Sequence, residues 1–192
     1  MIQKKSLIYV AGPDLFLPDW PERAAQATAL CAEHGLTAIL PVPAVPLIGP
    51  GVTEPSDAEG AGKVFQACRE AIRKVDGVIA NLSPFRGSEP DSGTVVECAV
   101  AHTLGIPVIG YTCGKGPVPD FGTDAEGRVL AEDGGWIEQF GLSHNVMLHG
   151  VCLAIVEDSR EAVSLMAEPL EKRANTELPR DRKGHRGQAG AQ

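Results

Sequence analysis

Five short apolar runs, rich in β-branched residues, alternate along this chain with longer amphipathic stretches. The runs are SLIYVAG (6–12), LTAILPV (36–42), GVIANLS (77–83), IPVIGYT (106–112) and VCLAIV (151–156). The first intervening stretch, PERAAQATALCAEHG, opens at Asp19 with Pro21 just inside and closes at Gly35, which predicts a helix. GKVFQACREAIRKV (62–75) places Val64, Ala67, Cys68, Ala71, Ile72 and Val75 at helical spacing. Two more helices are predicted, from Asp91 to Gly105 and from Ser159 to about Lys172. Strand–helix alternation with uniformly apolar strands specifies an α/β fold: a five-stranded parallel sheet with helices on both faces.

In such folds ligands bind beyond the C-terminal ends of the strands. That rule gathers the loops at 12–19, 41–60, 83–93 and 112–145 on one rim. The helix predicted from DSGTVVECAVAHTLG (91–105) starts there and carries one carboxylate, Glu97, among Val95, Val96, Cys98, Ala99, Val100, Ala101 and Leu104. A helix apolar all round is normally buried. A buried carboxylate without a partner costs several kcal/mol or takes up a proton. Glu97 therefore needs either a partner or a chemical task.

Charge narrows the ligand class. The 192 residues carry a net charge of −8, and five basic against two acidic side chains in 173–192 leave residues 1–172 at −11. An acidic body argues against nucleic acid and for a small, neutral or weakly charged ligand. Five dispersed cysteines, Cys31, Cys68, Cys98, Cys113 and Cys152, read as reduced core residues of a cytoplasmic protein. The apolar run after Lys4-Lys5 stops at Gly12-Pro13, too short for a signal peptide, and no run reaches the length of a membrane span. No GxGxxG follows a strand, and GAGKV (60–64) lacks the spacing and hydroxyl of a phosphate-binding loop. The histidines form no HExxH and no i, i+4 pair, so neither a metal nor a cofactor is expected. Residues 1–172 are expected to form one domain, and 173–192, almost devoid of large apolar residues, a disordered tail.

Further polar residues are expected on the rim: Tyr9, Asp14, Asp19, Asp76 directly before the third strand, and Asp91 at the head of the Glu97 helix. Asp91 and Ser92 also fit as plain N-cap residues. As a set, these carboxylates with Tyr9 fit glycosidic chemistry on a polar, uncharged substrate.

Four segments carry a resemblance: YVAGP (9–13), VDGVIANL (75–82), DSGTVVE (91–97) followed by A-x-x-x-x-G-I-P-V, and FGLSHNVML (140–148). In this order they resemble the nucleoside 2-deoxyribosyltransferases over roughly residues 6–160. The resemblance implies a doubly wound, flavodoxin-like or Rossmann-like subunit in a homo-oligomer. It implies exchange of the base of a 2′-deoxynucleoside through a covalent deoxyribosyl-enzyme, with deoxynucleosides and nucleobases as small-molecule partners. Glu97 would be the nucleophile, Tyr9 would orient it, and Asp76 would protonate the leaving base. Asp91 would bind the sugar hydroxyls or assist at the base. Gly12 and Phe16 would contact substrate, Phe16 by stacking. Asn145 and Met147 would complete the site of a neighbouring subunit. A related hydrolase acting on deoxynucleoside 5′-monophosphates would instead hold a phosphate with serines such as Ser83, Ser88 or Ser92. The loop of phosphoribohydrolases is a poorer match, because Asp91-Ser92 stand where paired glycines belong, and a non-catalytic nucleotide-binding module would not need Glu97.

Overall fold

The computed structural model describes residues 5–41, 58–113 and 122–176. Most of the expected Pro/Gly loop and residues 177–192 of the expected tail lie outside the described residues. In chain order the elements are β1 (Leu7–Ala11), α1 (Trp20–Glu33), β2 (Thr37–Ile39), α2 (Ala58–Ile72), β3 (Gly77–Asn81), α3 (Ser92–Thr103), β4 (Val108–Tyr111), α4 (Val146–Val151), β5 (Ala154–Val156) and α5 (Ser159–Thr176). A 3-10 turn, Pro13–Phe16, follows β1.

The five strands form one all-parallel sheet in the order β2-β1-β3-β4-β5. Alternation along each strand divides its side chains between two apolar clusters. Ile8, Ile79, Ile109 and Tyr111 pack against Cys31 of α1 and Ala162, Val163 and Met166 of α5. On the opposite face Tyr9, Ala11, Val78, Ala80 and Val108 pack against Ile72 of α2, Cys98 and Ala101 of α3, and Leu148 of α4. The order reverses between β1 and β3, so a crevice opens where their C-terminal ends part.

Several boundaries differ from the sequence reading. The expected last strand starts later, because Asn145 caps a short helix, α4, that takes Val151 out of the strand. The last helix runs to Thr176, so its final four residues belong to α5 rather than to a tail. α3 is not buried all round: Val96 and Leu104 face solvent. Cys31 and Cys98 are core residues, but Cys68 and Cys152 are half-buried and Cys113 is exposed; all five are free thiols. Among the described residues no helix is long and apolar enough to cross a membrane.

Candidate active site

β1 ends at Gly12, where the chain passes against β3. A Cβ at this position would lie 2.9 Å from Asn81 Cβ and from an Asp14 carboxylate oxygen, so only glycine fits the approach. The following turn is then locked. Asn81 Nδ2 donates to Asp14 Oδ2 at 2.9 Å, and Arg23 bridges Asp14 at 3.2 Å and Asp19 at 3.0 Å. Asp14 and Asp19 are therefore framework residues, on the α1 side of the crevice.

The other side of the crevice holds a cavity of about 400 Å3 between α2 and α3. Its walls include Leu15, Phe16, Val64, Phe65, Val96 and Val100, and Glu97 lies among them. Glu97 is reached from behind by the sheet: the Tyr9 hydroxyl donates to its Oε1 at 2.6 Å. Tyr9 sits mid-strand with no solvent exposure, so packing on all sides fixes its ring. Burial, then the charge of Glu97, pushes the phenol far above its ordinary range, and it stays a donor at any physiological pH.

A second donor comes from α2. The Cys68 thiol is within hydrogen-bonding contact of both Glu97 and Tyr9. Burial holds that thiol above its usual range, so it is neutral and can donate. Burial also pushes the Glu97 carboxyl above the usual carboxylate range; the Tyr9 and Cys68 hydrogen bonds pull it down, and the charge of Asp91 adds to the rise. The site thus answers the question posed by the sequence. Glu97 is desolvated, and two neutral donors keep its ionised form accessible.

Asp91 caps α3, its Oδ2 accepting from Thr94 N at 2.9 Å and Thr94 Oγ1 at 3.0 Å. Its Oδ1 makes no hydrogen bond among the described residues, and Asp91 lines the cavity. Phe16 lines it too, stacked on Phe85 with ring centroids 5.8 Å apart, and the Arg86 guanidinium lies over both rings.

Asp76 requires a correction. It is not on the rim but at the opposite edge of the sheet, where Oδ2 accepts from Leu7 N at 2.8 Å and its own N–H donates to Leu7 O. The physical reason is general. In a parallel α/β unit each helix starts at the rim and runs back, so the residue just before the next strand lies at the far edge. Eight residues earlier in the chain, one turn inside the C-terminal end of α2, stands Cys68. The sequence reading counted Cys68 as core and did not single out Phe65 or Arg69, both of which line the cavity. Their helical spacing with Val64 and Ile72, on one face of α2, was the available signal.

Asn145 and Met147 do not line the cavity of their own chain. Asn145 caps α4, accepting from Met147 N at 2.8 Å and donating to Glu138 Oε1 at 3.1 Å. His144 ties this segment to Leu82 O at 3.1 Å. Met147 is 74% exposed. Among the described residues no cluster of His, Cys, Asp or Glu is arranged to hold a metal ion.

The family model described as nucleoside 2-deoxyribosyltransferase matches residues 8–147. The chain belongs to this family. No curated protein matches it. Among solved structures it is similar to a 2-desoxiribosyltransferase from Leishmania mexicana, at 26% identity and a TM-score of 0.63 over 85% of this chain and 97% of that one. It is also similar to a 2-deoxyribosyltransferase from Bacillus psychrosaccharolyticus, at 20% identity and a TM-score of 0.53 over 82% and 90% of the two chains. A conserved protein from Enterococcus faecalis V583 gives 20% identity and a TM-score of 0.54 over 88% and 99%. At these identities the last two share the fold alone.

Proposed function

We propose that this enzyme exchanges the base of 2′-deoxynucleosides through a deoxyribosyl ester on Glu97. The observation that carries the reading is the Glu97 carboxylate in an apolar cavity, held by the Tyr9 hydroxyl at 2.6 Å. A glycosidic C–N bond breaks through an oxocarbenium-like state, which a carboxylate stabilises and then captures. Glu97 attacks C1′, the C1′–N electron pair leaves with the base, and a second base displaces the ester to restore the carboxylate. Tyr9 fixes the attacking oxygen, and Cys68 steadies the same group from the α2 side. Asp91 Oδ1 is free to accept from a sugar hydroxyl. The apolar walls of Leu15 and Val64, with a second copy over the exposed Phe65 and Val96, would keep water from the ester until a base arrives.

Asn145 and Met147 would act on the cavity of a second copy. Their absence from their own cavity and the exposure of Val96, Val146 and Met147 support a homo-oligomer that covers this face. Hydrolysis of a 5′-monophosphate is the second reading, and one observation disfavours it. Of the three serines considered for a phosphate, Ser92 alone lines the cavity, while Ser83 accepts from Cys113 N at 3.0 Å on the other side of the crevice.

Incubation with deoxyinosine and free adenine, followed by chromatography, tests the reading. New deoxyadenosine is expected. Hypoxanthine with free deoxyribose would establish a hydrolase, and unchanged substrates would refute both.

A further inference from the structure

With Asp76 at the far edge, the cavity's carboxylates among the described residues are Glu97 and Asp91. One is the nucleophile of the proposed reaction, and the other holds the start of α3. A departing base therefore has no evident acid to protonate it. The α2 wall offers a different group. Arg69 lines the cavity, and its Nε is shielded from solvent without a hydrogen-bond partner. Among the described residues its only ion pair is a loose one, Nη2 to Glu70 Oε1 at 3.8 Å. A cation with a shielded, unmatched donor in a substrate cavity is poised for an acceptor that arrives with the ligand.

The two walls differ in chemistry. The α3 side presents acceptors, Asp91 and Glu97, suited to sugar hydroxyls and the anomeric carbon. The α2 side presents Phe65 and Arg69, one helical turn apart and so neighbours on one face. Phe65 is half exposed and, with Phe16 across the opening, offers an aromatic surface for a planar base.

We propose that Arg69 is the leaving-group residue, donating to a carbonyl oxygen of the nucleobase as it departs. This rests on the deoxyribosyl-transfer reading. As Glu97 forms its bond to C1′, the C1′–N electron pair passes into the base ring and onto its carbonyl oxygen, where Arg69 meets the charge. The carboxylate loses its negative charge as the ester forms and the base gains one, so the step balances without a proton. In the return half-reaction an incoming neutral base releases its N–H proton to water, and the departed base takes one up.

The test compares 2′-deoxyinosine with 7-methyl-2′-deoxyinosine in wild type and Arg69→Met, with rates corrected for spontaneous base loss. The first substrate departs as an anion, whereas the second is a cation and departs neutral. Loss of one oriented donor to a developing anion costs roughly 100-fold or more in kcat. Arg69→Met should show that loss on deoxyinosine and less than about a five-fold change on the methylated substrate. Arg69→Lys, which keeps the charge but not the fork, should fall between the two. Equal losses on both substrates, or no loss on either, would overturn the assignment while leaving base exchange intact. A loss seen only with 5′-phosphorylated substrates would also overturn it, by making Arg69 a phosphate contact. Wild type inactive on both nucleosides would instead remove the transfer reading, and this inference with it.

Discussion

Removing one oxygen, in Tyr9→Phe, isolates what the sheet does for the proposed nucleophile, Glu97. The ring is fully buried and keeps its packing, so the change at the site is loss of the 2.6 Å bond to Glu97 Oε1. A hydrogen bond to an ionised partner is worth about 1.5–3 kcal/mol. That bond lowers the Glu97 carboxyl against the upward push of burial, so deleting it must raise the group further. At about 1.4 kcal/mol per pH unit, the acid limb of kcat/KM should move up by roughly one to two units. A nucleophilic Glu97 must be ionised, so wild-type activity should fall as pH drops through its raised value. In the variant that fall begins at higher pH. The assay is base exchange under subsaturating deoxynucleoside from pH 4 to 9, with the limb fitted for both proteins. An unmoved limb, or one moved toward acid, would refute the coupling, even if the plateau rate fell.

Glu97→Ala should abolish exchange by several orders of magnitude in the folded protein, read by chromatography of products. Glu97→Gln should be more stable than wild type at neutral pH. The wild-type carboxyl is raised, so its contribution is full below the unfolded carboxylate value and is lost as pH rises through the folded one; melting curves should converge in acid. Gly12→Ala must displace Asn81 or Asp14 and should cost about 1–3 kcal/mol, measured by urea unfolding. Mixed oligomers of Glu97→Ala and Asn145→Ala subunits should regain activity that neither parent has, and co-assembled mixtures without activity would place Asn145 outside any shared site. Truncation after Thr176 should change the melting temperature by no more than a few degrees, because the remaining composition is poor in apolar residues.

The sheet was legible because short strands apolar on both faces alternate with helical segments, the pattern of a doubly covered parallel sheet. Glu97 was legible for the opposite reason, as one charge in a segment that excludes charge. Tyr9 followed from its place on the first strand. Asp76 misled because a polar residue next to a strand looks the same at either edge, and only the direction of the preceding helix separates the two. Cys68, Phe65 and Arg69 stayed hidden for a related reason. On an amphipathic helix a thiol and an aromatic read as core, and an arginine as solvent-facing, unless that face of the helix is known to border an opening. The short α4 was missed because six residues, Val146–Val151, are too few to show a helical period, and only the Asn145 cap marks the start.

One four-residue turn joins the two sides of the crevice. Pro13–Phe16 leaves β1 at Gly12, which lines both the α1-side cavity and the α2–α3 cavity. Asp14 turns toward α1, where Asn81 and Arg23 hold it, and Phe16 turns the other way, toward Glu97 and onto Phe85. A turn this short has no core of its own, so its position has to be set by its neighbours. The Asp14–Asn81 bond ties it to the end of β3, a strand buried along its whole length. The aromatic wall of the cavity is therefore held in register with the sheet that carries Tyr9. Breaking the network on the α1 face, far from any reacting atom, would loosen the wall that faces the base.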